Sequence, residues 1–136
     1  MKAQPFQIAG ETGIDYNHFD QLTLDTAGGA DAVTVQNTHP GIPTVDTGEE
    51  GDTLTVQATA GPLTAATGAG EDTINVRAVG ADASINSGAG NDRINISSDA
   101  PVNAGTVNGI GGLLTVEGDI GDDTLNLFDG DGGAGV

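Results

Sequence analysis

The sequence predicts an all-β protein: a parallel β-solenoid (a β-roll or β-helix-like rod) of about five coils, with roughly 20 residues and two short strands per coil. The first observation behind this prediction is a turn rich in glycine and acidic residues and ending in aspartate, which recurs at residues 47–52, 67–72 and 87–92. The second is the spacing, because Asp52, Asp72 and Asp92 follow one another at intervals of 20 residues. A fixed period of this size is typical of solenoids, in which each repeat stacks on the one before it.

The repeat extends in both directions from these three turns. Asp31 closes a similar turn 21 residues before Asp52, and Asp123 closes another 31 residues after Asp92. The longer last interval is explained by an insertion at residues 97–112, which is rich in Gly, Ser, Asn and Asp and is predicted to be a surface loop. We therefore divide the chain into an N-terminal cap or lead-in segment (1–21), the solenoid repeats (22–128) and a Gly/Asp-rich tail or junction (129–136).

Two strand tracks follow from the alternation of apolar and polar residues on either side of each turn. Strict alternation places one side of a strand against a core. After the turn, the predicted inward residues are Val33/Val35, Leu54/Val56, Ile74/Val76, Ile94/Ile96 and Leu125/Leu127. Before the turn, they are Leu22/Leu24, Pro43/Val45, Leu63/Ala65, Ala83/Ile85 and Leu114/Val116. On the outward side, Asn75 and Asn95 should lie one above the other as a hydrogen-bonded ladder.

The composition and charge exclude several classes of function. With 20 acidic and 3 basic residues the net charge is −17, whereas nucleic-acid binding needs clustered Lys and Arg. The same charge argues against attraction to anionic membranes, and no apolar run is long enough to span a bilayer. Disorder is the alternative for a chain so acidic and glycine-rich. The periodic runs of Val, Ile, Leu and Thr favour a folded solenoid instead.

The turns have the composition of a cation site. Glycines let backbone carbonyl oxygens converge on a small ion, and the aspartate that closes each turn adds a carboxylate. Calcium takes six to eight oxygen ligands, more than one turn provides. We therefore expect Ca²⁺ between stacked turns, with Asp52 facing Asp72 and Asp72 facing Asp92, and with Asp31 and Asp123 extending the row. The alternative is that these aspartates only cap turns by accepting backbone N–H groups.

Two turns with their strands, Thr67-Gly-Ala-Gly-Glu-Asp-Thr-Ile-Asn-Val76 and Ser87-Gly-Ala-Gly-Asn-Asp-Arg-Ile-Asn-Ile96, resemble the nonapeptide repeats of RTX-type (haemolysin-type) calcium-binding proteins. Residues 22–128 are more closely similar to a module of the very large, tandemly repeated extracellular β-solenoid proteins of bacteria. The resemblance implies an extracellular or cell-surface location, no catalysis, and calcium at Asp31, Asp52, Asp72, Asp92 and Asp123. The chain departs from the RTX pattern because Thr67 and Ser87 replace its first glycine, and because only one edge of each coil carries the motif.

These observations predict a structural protein and no enzyme. His18 and His39 are the only histidines, and neither lies near a Cys or a second His at metal-ligand spacing in the sequence. No Ser-His-Asp arrangement stands out, and acidic pairs are too abundant to mark a catalytic pair. We expect a calcium-rigidified repeat module of an extracellular fibre, sheath or large surface adhesin. The alternative is an accessory calcium-dependent folding domain of a secreted enzyme or toxin. An ice-binding solenoid is a weaker alternative, because its threonine array is interrupted by Asn75, Arg93, Asn95 and Asn126.

The two ends of the predicted rod differ. A solenoid exposes unpaired strand edges on its first and last coils, and natural repeat proteins cover these edges with caps. The first coil could be capped, or preceded by another coil, through Phe6, Ile8, Ile14, Tyr16 and Phe19, whereas the tail has no comparable residues. We therefore expect the partners to be other copies of the chain, end to end in a filament, or further tandem repeats. The first ten residues lack the apolar segment of a secretory signal, so we expect a piece of a longer protein or export without such a signal.

Overall fold

The computed structural model describes residues 19–130, and these residues form a parallel β-solenoid. This part of the chain contains no α-helix, and its strands are four or five residues long. Ten strands follow one another: β1 (Gln21–Asp25), β2 (Ala32–Val35), β3 (Ile42–Asp46), β4 (Thr53–Val56), β5 (Leu63–Ala66), β6 (Thr73–Val76), β7 (Ala83–Asn86), β8 (Arg93–Ile96), β9 (Leu114–Glu117) and β10 (Thr124–Leu127). Residues 1–18 of the predicted N-terminal segment lie outside the described residues.

The strands form two parallel sheets, and the coils stack in register. One sheet has the order β1-β3-β5-β7-β9 and the other has the order β10-β8-β6-β4-β2. Odd-numbered strands precede the aspartate turn of each coil and even-numbered strands follow it, so the two predicted strand tracks are confirmed. Each sheet has five strands and thus four steps from coil to coil. In register, Thr53 pairs with Thr73 and Thr73 with Arg93, whereas Arg93 pairs with Thr124 across the insertion.

The core lies between the two sheets and consists mainly of residues from the predicted inward tracks. Val79, in the turn after β6, also belongs to it, whereas Leu125 and Leu127 of the last coil are exposed. Leu54, Ile74 and Ile94 stack in consecutive rungs of one sheet and are at most 2% exposed. The facing sheet contributes Leu63, Ala65, Ala83 and Ile85 to the same buried cluster. Small and branched side chains fill this thin space, and their burial contributes about 25 cal/mol per Å² of apolar surface. The solenoid therefore has a continuous core despite having few aromatic residues.

The insertion at residues 97–112 lies against the outward face of the sheet that contains β6 and β8. Within it, Ala100 is fully buried, and its carbonyl oxygen accepts a hydrogen bond from Nε of Arg77 at 2.8 Å. Asn103 of the insertion donates from Nδ2 to Oδ1 of Asn95 at 3.1 Å. Further along, Ile110 pairs with Val79 in a parallel bridge. The insertion is thus bound to the sheet in its first half and to the turn after β6 near its end.

The predicted ladder of asparagines is confirmed and is more buried than an open face would allow. Asn126 donates to Oδ1 of Asn95 at 3.0 Å, and Asn95 donates to Oδ1 of Asn75 at 3.0 Å. Asn75 and Asn95 are only 4% and 2% exposed, because the insertion covers them. The flat, open threonine array that an ice-binding solenoid requires is therefore interrupted on this sheet by a covered polar ladder.

Candidate cation site at the stacked turns

The five aspartate turns lie along one edge of the rod and share one backbone conformation. Their middle residues pair from coil to coil as single parallel bridges, in a column formed by Gly28, Glu49, Ala69, Ala89 and Ile120. The residue before this column always has a positive φ, from 64° to 98°: Ala27, Gly48, Gly68, Gly88 and Asp119. The residue after the column also has a positive φ, from 80° to 151°: Gly29, Glu50, Gly70, Gly90 and Gly121.

Close stacking explains why most of these positions are glycine. A Cβ on Gly68 would lie 1.8 Å from the carbonyl oxygen of Gly48, and one on Gly88 would lie 1.9 Å from the carbonyl oxygen of Gly68. The middle column is different, because a Cβ on Gly28 would meet nothing within 4 Å. Side chains are thus tolerated in the middle of the turn and disfavoured on either side of it, where the neighbouring coil lies against the backbone; Ala27, Glu50 and Asp119 are the exceptions among the five turns.

The aspartates that close the turns form a directional hydrogen-bond ladder. The backbone N–H of Asp31 donates to Oδ1 of Asp52 at 2.8 Å, and the N–H of Asp52 donates to Oδ1 of Asp72 at 2.8 Å. The same bond joins Asp72 to Asp92 at 2.9 Å and Asp92 to Asp123 at 3.0 Å. Each carboxylate therefore caps the turn of the coil before it, and the ladder holds adjacent coils in register.

In four of these five carboxylates, the second oxygen has no hydrogen-bond partner among the described residues. Oδ2 of Asp31, Asp52, Asp72 and Asp92 is buried and accepts no hydrogen bond from residues 19–130. The four side chains are at most 5% exposed, so bulk water has little access to these oxygen atoms. Leaving a buried polar group unpaired costs about 1–3 kcal/mol, and more when the group is charged. Within residues 19–130, the Oδ2 atoms of this row thus face neither a hydrogen-bond donor nor a positive charge in four consecutive coils.

The hydroxyl groups at the start of the turns bond to carbonyl groups of the next coil. Oγ1 of Thr47 donates to the carbonyl oxygen of Thr67 at 3.1 Å, and Oγ1 of Thr67 donates to that of Ser87 at 3.0 Å. Sequence reasoning missed this role, although Thr and Ser recur here at the repeat spacing. The departure from the RTX pattern at this position is therefore explained by a second ladder that runs beside the aspartates.

The environment of Asp72 disfavours its ionised form. Burial raises the pKa of the Asp72 carboxyl above its ordinary value, and the carboxylates of Asp92 and Asp52 add to the increase. The N–H of Asp52 and the nearby hydroxyl of Thr67 act in the opposite direction, with a smaller effect than burial. Since the Thr67 hydroxyl hydrogen is already donated to Ser87, it does not provide a partner for Oδ2. A cation beside Asp72 would favour the carboxylate and lower its pKa.

Side chains alone do not make a metal site here. Among residues 19–130, no three His, Cys, Asp or Glu side chains lie close enough together to hold a metal ion. A bound cation would use the carboxylates of two adjacent coils and would take its other ligands from backbone carbonyl groups of the turns. The carbonyl oxygens of Gly70 and Gly90 lie at this interface, since a Cβ on Gly90 or Gly121 would approach them to 1.6 or 1.5 Å. An irregular shell of oxygen ligands suits Ca²⁺.

The structure brings all five aspartates predicted as metal ligands into one row, one in each coil. Asp52 is bonded to Asp72, and Asp72 to Asp92, so the predicted neighbours are adjacent. Asp123 differs because it is exposed and belongs to the last coil. Its turn begins with Gly118, and a Cβ there would lie 2.4 Å from Oδ2 of Asp123, in the space where other coils carry Thr or Ser.

Comparison of the chain with protein-family models, with curated proteins and with solved structures finds no match. The assignment of a function therefore depends on the repeat geometry and on the chemistry of the turns. Within the part of the chain that the structure describes, no helix is long and apolar enough to cross a membrane.

Proposed function

We propose that this chain is a structural, RTX-like calcium-binding repeat module of an extracellular fibre, sheath or large surface adhesin. The observation that carries the proposal is the row of buried, unpartnered Oδ2 atoms at Asp31, Asp52, Asp72 and Asp92. At Asp52, Asp72 and Asp92 the other oxygen, Oδ1, accepts a backbone N–H from the coil before. The carboxylates are thus fixed in place by the fold, and such preorganisation lowers the ordering cost of binding an ion.

Calcium supplies the positive charge that the row lacks. Asp52 and Asp72 hold one ion between their coils, and Asp72 and Asp92 hold the next, with turn carbonyls as further ligands. An ion that binds only the folded coils stabilises them by RT ln(1 + [L]/Kd), about 2.7 kcal/mol per site at a concentration 100 times Kd. Because calcium is scarce inside cells and abundant outside, the module would become rigid after export.

The overall charge gives a second reason for cation binding. The chain carries a net charge of −17, and self-repulsion of this size opposes compaction. Arg77 and Arg93 are the only arginines in residues 19–130, which contain no lysine, and Nε of Arg77 is engaged with the carbonyl of Ala100. The carboxylate row therefore depends on ions from solution for neutralisation.

Isothermal titration of the intact chain with CaCl₂ tests the proposal. The informative variant is Asp72→Asn, which keeps an oxygen to accept the N–H of Asp52 but removes the charge shared by two of the proposed sites. Asp46→Asn is the matched control. Asp46 is exposed on β3, so its substitution removes the same charge at a position outside the row. We expect saturable calcium binding to the wild-type chain and to Asp46→Asn, with at least a tenfold weaker affinity or fewer sites in Asp72→Asn.

Two results would count against calcium binding at the turns. One is a wild-type titration with no heat beyond that of dilution at millimolar calcium. The other is equal binding by the wild-type chain and by Asp72→Asn, which would place the ions elsewhere on the acidic surface. Circular dichroism of each variant shows that the compared proteins have the same β structure.

A further inference from the structure

The last described coil exposes apolar side chains at the end of the rod. Eight large hydrophobic residues of the described chain are exposed, and five of them belong to this coil: Leu113, Ile120, Leu125, Leu127 and Phe128. Leu125 and Leu127 are 58% and 64% exposed although they belong to the inward track. Their counterparts one coil earlier, Ile94 and Ile96, are 2% and 5% exposed. The difference is that Ile94 and Ile96 have a coil on both sides.

The backbone at this end has free hydrogen-bonding groups that a further coil could pair with. β9 and β10 are the edge strands of the two sheets, so each presents unpaired N–H and C=O groups. The aspartate ladder runs toward this end of the rod, since the N–H of each aspartate donates to the carboxylate of the following coil. The ladder ends at Asp123, whose N–H has no acceptor among residues 19–130. What this end lacks is an aspartate carboxylate together with two apolar strands.

The opposite end of the described rod offers those groups. Leu22, Leu24, Val33 and Val35 line an apolar cleft of about 280 Å³ between β1 and β2, the edge strands at this end. Asp31 presents a buried carboxylate that receives no N–H from residues 19–130. Among residues 19–130, one end therefore has an N–H without an acceptor and the other has a carboxylate without an N–H donor. The apolar strands of the last coil are open, whereas at the first coil Val33 is buried and Leu22, Leu24 and Val35 are half-buried around the cleft.

We propose that the last coil of one copy binds the first coil of a second copy, head to tail, in the register that already stacks the coils within the chain. In this contact the N–H of Asp123 donates to the carboxylate of the second copy's first coil, and Leu125 and Leu127 pack on its inward residues. The same bond and the same packing recur at the four internal steps, so the interface continues one that the fold already contains. A contact of this kind does not close, and it produces a linear filament.

This docking rests on the proposed role as a stacking repeat module, but it does not require calcium. The end of a single coil is small compared with ordinary stable protein interfaces, so we expect weak association at micromolar or higher concentration. The net charge of each copy opposes association, and salt should strengthen it by screening that repulsion. Sodium chloride alone should therefore promote assembly if the docking is correct and calcium binding is not.

Sedimentation velocity of the intact chain from about 1 to 500 μM, in EDTA with low and high NaCl and then in CaCl₂, measures the association. Leu127→Lys places a charge on the exposed end of the last coil, and Leu24→Lys does so in the cleft of the first coil. Thr115→Lys is the matched control, because Thr115 is exposed on the outward side of β9. Circular dichroism checks that each variant remains folded.

The wild-type chain and Thr115→Lys should form species that grow with concentration, whereas Leu127→Lys and Leu24→Lys should each associate at least tenfold more weakly. A mixture of the two damaged variants should form a dimer and nothing larger, because each retains one intact end. Dimerisation of Leu24→Lys alone would indicate a symmetric contact between last coils and would overturn the proposal. A wild-type chain that stays monomeric under all conditions would overturn it as well, and would favour cover of the cleft by residues 1–18.

Discussion

The backbone N–H of Asp72 donates to Oδ1 of Asp92 at 2.9 Å, across the boundary between two coils that are 20 residues apart in sequence. The other oxygen, Oδ2, is buried and has no partner among the described residues. The two oxygens of one carboxylate thus have different environments: the first holds the coils in register, and the second is the one that would contact the proposed cation. The interpretation of these aspartates as turn caps and their interpretation as metal ligands are therefore compatible.

Substitutions of Asp72 should separate the two roles. Without calcium, Asp72→Ala should lower the free energy of unfolding by about 1–3 kcal/mol, because it leaves the buried N–H of Asp52 without an acceptor. Asp72→Asn should cost much less, since its side-chain oxygen can still accept that bond. Urea denaturation in EDTA measures both effects. Equal losses in the two variants would mean that the charge, and not the hydrogen bond, maintains the turn.

Gly68 should be among the least replaceable residues of the turns. Its φ is +92°, and a Cβ would lie 1.8 Å from the carbonyl oxygen of Gly48, so Gly68→Ala should force the two coils apart. We expect a loss of about 3 kcal/mol or more, as for other severe steric changes. Gly28→Ala is the control, because an added Cβ there meets nothing within 4 Å. Thermal unfolding of both variants checks the prediction, which fails if they are equally stable.

Glu50 adopts a backbone conformation that suits glycine. Its φ is +80°, at a position where other turns have Gly29, Gly70, Gly90 and Gly121. The left-handed conformation costs roughly 1 kcal/mol or more in a residue with a Cβ. Glu50→Gly should therefore raise the melting temperature by a few degrees. Glu71→Gly is the control, because Glu71 is exposed and has no positive φ, and it should not raise the melting temperature. A similar rise in the two variants would mean that the removal of a negative charge, and not the relief of strain, is responsible.

The raised pKa of Asp72 predicts a pH dependence in the absence of calcium. Because the folded chain holds this proton more tightly than the unfolded chain, the contribution to stability is present at low pH and is lost as pH rises through the folded pKa. The stability of the wild-type chain relative to Asp72→Asn should therefore decrease from about pH 4 upward. Denaturation of both proteins in EDTA across this range gives the difference. A difference that increases with pH would have the wrong sign.

Asn95 is the central member of the asparagine ladder beneath the insertion. It accepts from Asn103 and Asn126 and donates to Asn75, so Asn95→Ala removes three hydrogen bonds in a buried place. We expect a loss of about 2–3 kcal/mol and faster amide exchange in residues 97–112. Asn126→Ala removes one of these bonds at the end of the ladder and should have a smaller effect on stability. The ladder is unimportant if Asn95→Ala leaves the insertion equally protected.

The strands and the inward residues were predictable because alternation is a local property that recurs in each coil. Leu54, Ile74 and Ile94 could be aligned with one another from the spacing of the aspartates alone, and the structure stacks them in that register. The five aspartates could be placed in one row by the same argument. In a repeat protein, equivalent positions can thus be aligned within one sequence, where other folds would need many related sequences for the same comparison.

Other features depend on contacts that the local pattern does not contain. The direction of the aspartate ladder, from the N–H of one coil to the carboxylate of the next, follows from how the turns stack. Residues 97–112 have no period, so their packing over Asn95 could not be predicted. Ala27, Glu50 and Asp119 adopt positive φ against their own preference, because the stacking of the turns overrides it.

The most direct test of the central claim is the melting temperature of the intact chain in EDTA and in millimolar calcium, at matched ionic strength. If calcium binds between the stacked turns, the melting temperature should rise by many degrees, saturate with calcium, and rise much less in Asp72→Asn. A melting temperature that is the same in calcium and in matched NaCl would contradict the account and leave the aspartates as turn caps alone.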